Sequence, residues 1–445
     1  MRIIIAGDGD TGSHLAQMLS VESQDIVLIG SNRDHLAELD ADGNFITIEG
    51  NPLSTGILMQ CGADRADLFV AVTPDENVNL LACQLAKKCG ARRCVARVDN
   101  PEFTSGLAND MLKSNGVDQT IFPEKLAAGE IARFIGHNWV NEWMPVHHGE
   151  LYVAGVRMEH GGDLCGKMLR DVPNNPRRFH VSAIRRGETI IIPRGEDRLL
   201  EGDTIYFSVL PQNTDYLPSI CGKSHASVHH IMITGAGRVT ENLLEEIGQS
   251  YEITVIDPDR RRCSAIASRF PRAIVVNAAA NDVATLKEEG IHRCDMFLAL
   301  TGSSETNIVS CMVARQHGVK KTVARIEELQ YMPEAESLSI DKIINKKLLN
   351  AGKILNMLLD SSINTAAQCM SLDKAEIISL TAKEGSQIVG HPVSELSLPR
   401  ELTIGGLIRD GEAILVEGRT TILPGDRVVI FFMAGALSKV ERLFR

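Results

Sequence analysis

The sequence predicts an α/β fold. Two doubly wound parallel sheets follow one another in tandem, each trailed by a connecting helix and a small α+β module. Three observations predict it. The first is Arg2 to Leu19, RIIIAGDGDTGSHLAQML, in which a short apolar strand runs into a glycine turn and then a helical pattern with Leu15, Met18 and Leu19 on one face. The second is a copy of that stretch, IMITGAGRVTENLLEEI, beginning at Ile231. The third is the alternation of short β runs with helical runs over residues 2–122, the pattern of a parallel sheet with helices on both faces.

In Gly7-Asp8-Gly9-Asp10-Thr11-Gly12 each glycine has a separate task. The first permits the turn, the second lets a phosphate approach the backbone, and the third lets helix and strand pack closely. The helix that follows offers free N–H groups and a positive dipole end to a pyrophosphate. A lone motif of this kind is weak evidence. This one has the strand before it and the helix after it that a Rossmann-like site requires.

The chain also writes the motif twice. Gly235 and Gly237 repeat Gly7 and Gly9 at an offset of 228. At the same offset Phe69-Val70-Ala71-Val72-Thr73 matches Phe297-Leu298-Ala299-Leu300-Thr301, and Val95-Ala96-Arg97-Val98 matches Val323-Ala324-Arg325-Ile326. Asn79, Cys83 and Gly90 match Asn307, Cys311 and Gly318. A tandem duplication decides the architecture before any motif is weighed.

Taken in order, strands are predicted at Ile3–Ala6, Asp25–Ile29, Phe45–Ile48, Leu68–Val72, Cys94–Arg97 and Gln119–Ile121, with helices beginning near Ser13, Arg33, Leu53, Glu76 and Pro101. Pro123 to Trp143 reads as a connecting helix with Pro at its first position and a stripe of Leu126, Ile131, Phe134, Ile135 and Trp139. Its equivalent is Asp341–Ser361, with Ile343, Ile344, Leu348, Leu349, Ile354, Leu355, Leu358 and Leu359. Following a finished sheet, such a stripe packs on something outside its own domain, either as core or as a subunit interface. Residues 149–217 change to strands and tight turns, Arg185-Arg186-Gly187-Glu188 and Glu201-Gly202-Asp203. The same module returns at 373–445 with turns at Ile408–Glu412 and Pro424-Gly425-Asp426. The turn-rich stretch Pro211–Val228 links the halves.

Composition sets outer bounds. The 445 residues allow two to four domains, and 44% hydrophobic with 23% charged residues is ordinary for a globular protein. A net charge of −11 opposes a nucleic-acid partner, whose footprint would be basic. The start MRIII carries no apolar signal segment, which predicts a cytoplasmic protein. The apolar run Val428 to Leu437 is about half a membrane span, so a membrane role requires a partner. The ten cysteines show no CxxC pair and read as buried free thiols. His147-His148 and His229-His230 have no accompanying ligand cluster, so no metal site is predicted. No GxSxG, HExxH or P-loop lysine is present, and no catalytic residue is predicted.

The two halves differ as nucleotide sites. A dinucleotide site needs an acid at the end of the second strand to hold a ribose hydroxyl. The second half has Asp257 there, about 20 residues after its glycines, and Arg238 beside the phosphate position. The first half ends that strand with Gly30-Ser31-Asn32-Arg33 and places Asp8 and Asp10 in the glycine loop, where they oppose an anion unless they point away. The second half is therefore expected to be the stronger NAD(H) site. Its own departure is Thr240, which replaces the third glycine and should widen the helix–strand contact. Gly30-Ser31-Asn32-Arg33 could instead accommodate a 2′-phosphate. Thr73 and Thr301 lie on the ligand side of the sheet, and Arg97 and Arg325 are candidates for phosphate or cross-subunit contacts, or for surface salt bridges.

Taken together and duplicated, GDGDTGSHLAQML, ADRADLFVAVTPDENVNLLAC, VARVDNPEF, IFPEKLAAGEI, GAGRVTENLLEEI, VIDPDRRR, TNIVSCMVARQHGVKKTVARI and the turns RRGE/EGD and RDGE/PGD resemble the TrkA family, the regulatory subunits of Trk potassium uptake built of two RCK (KTN) units. The resemblance covers nearly the whole chain. It implies RCK N-type Rossmann-like domains at 1–122 and 228–340, connecting helices at 123–145 and 341–366, and RCK C-type modules at 146–218 and 367–445. It implies a peripheral protein on the inner face of the plasma membrane, not an enzyme, under an integral potassium-translocating subunit of TrkH/TrkG type. A homo-oligomeric ring is implied, a tetramer of tandem units or a dimer in isolation. NAD or NADH, with ATP or ADP also bound in relatives, would gate potassium flux. The family's nucleotide contacts carry over to Gly7, Asp8, Gly9, Asp10, Thr11 and Gly12, then Gly30, Thr73, Pro74 and Arg97. In the second half they carry over to Gly235, Ala236, Gly237, Arg238 and Val239, then Asp257, Thr301, Gly302 and Arg325. Gly30 and Thr240 depart from the family pattern. The alternative readings are an NAD(P)-dependent oxidoreductase, which would need a general acid/base near the nicotinamide, and a structural scaffold with inactive sites.

Overall fold

Apolar runs of four to six residues, too short for helices and buried on both faces, become the central strands of two parallel sheets. The structure is a computed structural model and describes residues 1–20, 25–42, 44–174, 177–187, 189–223, 228–248, 250–338, 340–362, 369–372, 375–433 and 435–444. In the first half the strands are β1 (Arg2–Ala6), β2 (Asp25–Gly30), β3 (Ile46–Glu49), β4 (Leu68–Ala71), β5 (Cys94–Arg97) and β6 (Gln119–Ile121). They pair in the order β3-β2-β1-β4-β5-β6, all parallel. The order reverses between β1 and β4, and a ligand crevice opens at the carboxyl ends of strands at such a point. Helices α1 (Asp10–Ser20), α2 (Arg33–Asp42), α3 (Thr55–Gln60), α4 (Glu76–Cys89) and α5 (Gly106–Ser114) make the crossovers. Asp75 caps α4 by accepting from the N–H groups of Asn77 and Val78.

The connecting helix α6 (Pro123–Gly136) is shorter than the 123–145 expected from sequence. Residues beyond it join the α+β module as the strand β7 (Glu142–Val146), and Trp139, Val140 and Trp143 are buried in that module's core. The module continues with β8 (Leu151–Arg157), β9 (Phe179–Arg186), β10 (Thr189–Ile191) and β11 (Thr204–Val209), in the antiparallel order β10-β9-β11-β8-β7. The short helix α7 (Tyr216–Ile220) ends it.

The second half repeats the plan. Its sheet of β12 (His230–Thr234), β13 (Glu252–Asp257), β14 (Ile274–Asn277), β15 (Met296–Ala299), β16 (Lys321–Arg325) and β17 (Lys342–Ile344) has the order β14-β13-β12-β15-β16-β17. Its helices are α8 (Arg238–Ile247), α9 (Arg260–Arg269), α10 (Val283–Glu288), α11 (Ser304–Gln316), α12 (Met332–Ser337) and α13 (Lys346–Ser362). Ile343 and Ile344, expected in the connecting-helix stripe, lie in β17; the helix starts only after them. The expected helix end at 363–366 and the side chains of Leu355, Leu358 and Leu359 lie outside the described residues. The closing module has β18 (Cys369–Leu372), β19 (Ala375–Thr381), β20 (Leu402–Arg409), β21 (Glu412–Leu415) and β22 (Arg427–Met433), ordered β18-β19-β22-β20-β21, and ends in α14 (Leu437–Leu443). Read from the other edge, this is the strand order of the first module.

The connecting helices cross over. On α6, Ala127, Ala128, Ile131, Phe134 and Ile135 are buried with Val239, Leu243 and Leu244 of α8. On α13, Ala351, Ile354 and Met357 are buried with Leu15, Ala16 and Leu19 of α1. Each half thus completes the core of the other, so the apolar stripes form an interface within one chain. Ion pairs follow the same exchange: Lys346 with Glu124 at 3.0 Å and Lys342 with Glu130 at 2.8 Å. Burial alone would raise the Glu130 carboxyl, but Lys342 and Arg133 overrule it and hold it down at about 2.

The two modules also share a core. Val146, Leu151, Val153 and Tyr206 of one pack with Ala375, Ile377, Val429 and Phe431 of the other. In each module the predicted pair of turns is tied by one arginine. Arg186 donates to both oxygens of Asp203 at 2.9 and 2.8 Å, and Arg409 to both of Asp426 at 2.8 and 2.6 Å. Cys83, Cys94, Cys294 and Cys311 are buried free thiols.

Candidate nucleotide-binding sites

Gly7 and Gly235 turn the chain out of β1 and β12 with φ of 123° and 102°, a region that strains any side chain. A Cβ at either would also meet backbone, at Thr73 N (3.0 Å) or Leu300 C (2.8 Å). Gly9 and Gly237 are different: a Cβ there would meet nothing within 4 Å. That open space lies before the N-termini of α1 and α8, where a phosphate would be received. Gly12 is the close-packing glycine, since a Cβ there would lie 1.8 Å from the Gly7 carbonyl oxygen. At the equivalent position the buried Thr240 donates its hydroxyl to the Gly235 carbonyl, so it is held by the same oxygen. Thr11 and Val239 sit in the first turns of their helices, Thr11 half-buried and Val239 buried.

The loop acids are both engaged. Asp8 turns back toward the end of β2, where its Oδ2 accepts from the N–H groups of Ser31 (2.9 Å) and Asn32 (2.7 Å). Asp10 pairs with Lys347 of α13 at 2.6 Å. The second half arranges its acid the other way round. Asp257, 3% exposed, accepts from Ala236 N–H through Oδ2 and from Asp259 N–H through Oδ1, each at 2.7 Å. Arg238 extends toward the first half, 3.5 Å from the Asp99 carbonyl, in a cleft of about 280 Å³ that Glu76 and Glu241 also line.

At the other side of each crevice, Thr73 and Thr301 follow β4 and β15 and are pinned by a buried asparagine. Asn79 Oδ1 accepts from the Thr73 N–H (2.8 Å) and hydroxyl (2.7 Å), and its Nδ2 donates to the carbonyls of Thr73 and Arg97. Asn307 makes the same four bonds to Thr301 and Arg325. Pro74 and Gly302 continue these loops and are exposed. Arg97 pairs with Asp99 at 3.0 Å and also donates to the Thr73 carbonyl, while Arg325 pairs with Glu327 at 2.6 Å. Both arginines therefore brace the strand ends. Among the described residues no group of His, Cys, Asp and Glu could hold a metal, and no helix is long and apolar enough to cross a membrane.

The TrkA-N domain family matches residues 3–123 and again 231–346, and the TrkA-C domain family matches 153–222 and 377–445. The chain belongs to the TrkA family. It is 31% identical to the Trk system potassium uptake protein TrkA homolog 1 of Methanosarcina mazei, with 100% of both chains covered. It is 28% identical to the Trk system potassium uptake protein TrkA of Halomonas elongata, covering 100% of this chain and 99% of that one. Among solved structures, the crystal structure of the GsuK RCK domain superposes with a TM-score of 0.63 at 17% identity, covering 100% of this chain and 94% of the other. The GsuK channel bound to NAD superposes with a TM-score of 0.63 at 16% identity, over 100% and 78%. These two likenesses concern the fold.

Within the TrkA-N domains of this chain, the duplication marks Asn79 and Asn307 as a repeated pair and assigns them no role. A polar residue recurring at one offset on a buried helix face is the sequence signal for the anchoring that the structure shows. Lys347 gave no comparable signal, because its partner Asp10 is 337 residues away.

Proposed function

We propose that this TrkA-family chain is a nucleotide-sensing regulatory subunit of a Trk-type potassium uptake system. It binds NAD or NADH at its glycine loops, with ATP or ADP as further ligands. It gates potassium flux through an integral membrane partner of TrkH/TrkG type, at the inner face of the plasma membrane. It works as a homo-oligomer, a tetrameric ring of tandem units or a dimer in isolation, and not as an enzyme. Relatives named as potassium uptake proteins support the transport role, and the open cradles at Gly9 and Gly237 support a nucleotide.

The observation that carries the reading is the crossover of the connecting helices. The helix that starts at the first glycine loop packs on α13 of the second half, and the helix that starts at the second loop packs on α6 of the first. A ligand at either loop therefore bears on the packing between halves. Such a ligand gates flux when it binds two arrangements of the halves unequally.

Two measurements test this. Melting of the full-length chain is followed with NAD, NADH, NADP, ATP and ADP, for wild type and Asp257→Ala. Potassium flux is then followed in vesicles holding the membrane partner. A stabilising shift with NAD or NADH, reduced in Asp257→Ala, together with nucleotide-dependent flux, is the expected result. Absence of any shift would sink the sensing role, and turnover of a hydroxy acid or aldehyde would put an oxidoreductase in its place.

A further inference from the structure

The two halves carry their strand-end acid on opposite sides of one contact. Gly7 N–H donates to the Ile29 carbonyl as Gly235 N–H donates to the Ile256 carbonyl, so Gly30 corresponds to Asp257. By the same register Asp8 corresponds to Ala236 and Asn32 to Asp259. In the second half the acid stands at the strand end and the small residue in the loop. In the first half the acid stands in the loop and the strand end is glycine. Both carboxylates accept from the same backbone donor: Asp257 from Asp259 N–H, and Asp8 from Asn32 N–H, each at 2.7 Å. The exchange is also steric, because a Cβ at Gly30 would lie 2.4 Å from Asp8 Cβ and Oδ2.

Resting on the dinucleotide reading above, we infer that Asp8 is the ribose-recognising acid of the first half and makes that half select a dinucleotide with an unphosphorylated adenosine ribose. Its Oδ2 is held by two N–H groups, and its Oδ1 accepts the ribose hydroxyl. A 2′-phosphate would meet this carboxylate at close range, and like charges there repel. Gly30-Ser31-Asn32-Arg33 is then a seat for Asp8 rather than for a 2′-phosphate. The same turn-back takes the Asp8 charge toward the end of β2 and away from the open space at Gly9, so the loop can still receive a pyrophosphate.

The test is calorimetric titration of the full-length chain with NADH and NADPH. The variants are Asp8→Asn, Asp8→Ala and the exchange Asp8→Ala/Gly30→Asp. Asp8→Asn keeps an acceptor for the Ser31 and Asn32 amides, so its melting temperature reports whether the loop stays folded. The inference expects NADH at two sites in wild type. At one of them Asp8→Ala loses about tenfold or more in affinity, the effect of one hydrogen bond to a charged group. At that site Asp8→Asn narrows the preference for NADH over NADPH, and the exchange variant restores it. Wild-type binding that Asp8→Ala and Asp8→Asn leave unchanged at every site, in folded protein, overturns the inference and leaves the proposed function standing. Absence of NADH binding by wild type overturns both.

Discussion

Lys347, on the connecting helix of the second half, reaches 2.6 Å from Asp10 at the mouth of the first glycine loop. The lysine is 19% exposed at its side chain and the aspartate 75%, so the pair is worth little to stability, about 0–1 kcal/mol. Under the proposed function its effect is electrostatic, because it neutralises an acid at the mouth of the loop that would receive the nucleotide's phosphates.

Lys347→Ala should therefore leave the melting temperature within about a degree of wild type. It should weaken NADH binding in the first half about three- to tenfold at low salt. Titrations at 20 mM and 500 mM salt (chosen to span about 20 to 4 Å of screening) check this, since the loss should shrink at the higher salt. Equal affinities for variant and wild type at low salt would remove Asp10 and Lys347 from the site.

Asn79 is fully buried and holds four groups at the end of β4 and β5. Asn79→Ala strands backbone N–H and C=O groups at a cost of about 1–3 kcal/mol. Asn79→Asp should be worse, because a carboxylate cannot donate to the carbonyls of Thr73 and Arg97. Thermal melts of both variants, compared with Asn307→Ala in the second half, read the effect. An Asn79→Asp protein as stable as wild type would contradict it.

The pair Glu130–Lys342 links the halves and predicts a pH dependence. The folded pKa of Glu130, about 2, lies below its ordinary value of 4.5. Its contribution is thus complete above about pH 4.5 and is lost as pH falls toward 2. Lys342→Ala should lower the melting temperature by several degrees at pH 7, corresponding to about 1–3 kcal/mol. The gap between variant and wild type should narrow as pH falls from about 4.5 toward 2, whereas a constant gap would locate the effect elsewhere.

In the α+β modules, Asp203 and Asp426 are each 2% exposed and each accepts two bonds from one arginine. Asp426→Ala leaves Arg409 without its bidentate partner and should cost the second module about 2–3 kcal/mol. Asp203→Ala should do the same to the first. Limited proteolysis reads this by module, with new cleavage expected in 375–444 for Asp426→Ala and in 142–222 for Asp203→Ala.

What the sequence determined by itself is local and periodic. The strand runs, the glycine turns, the capped helices and the duplication are written in neighbouring residues, and the structure places the predicted strands of the first sheet within a residue or two. Two of the misses were edge strands. β7 carries Pro145 and β17 has three residues, each at the rim of its sheet, where a proline or a short run is tolerated and the pattern is faint. Only the tertiary structure decided which half each connecting helix completes, that Lys347 meets Asp10, and that Asp8 lies in the space a side chain at Gly30 would need. Those relations join residues tens to hundreds of positions apart. They follow from how close two backbones come and from which charge lies opposite, and no period in the chain encodes either.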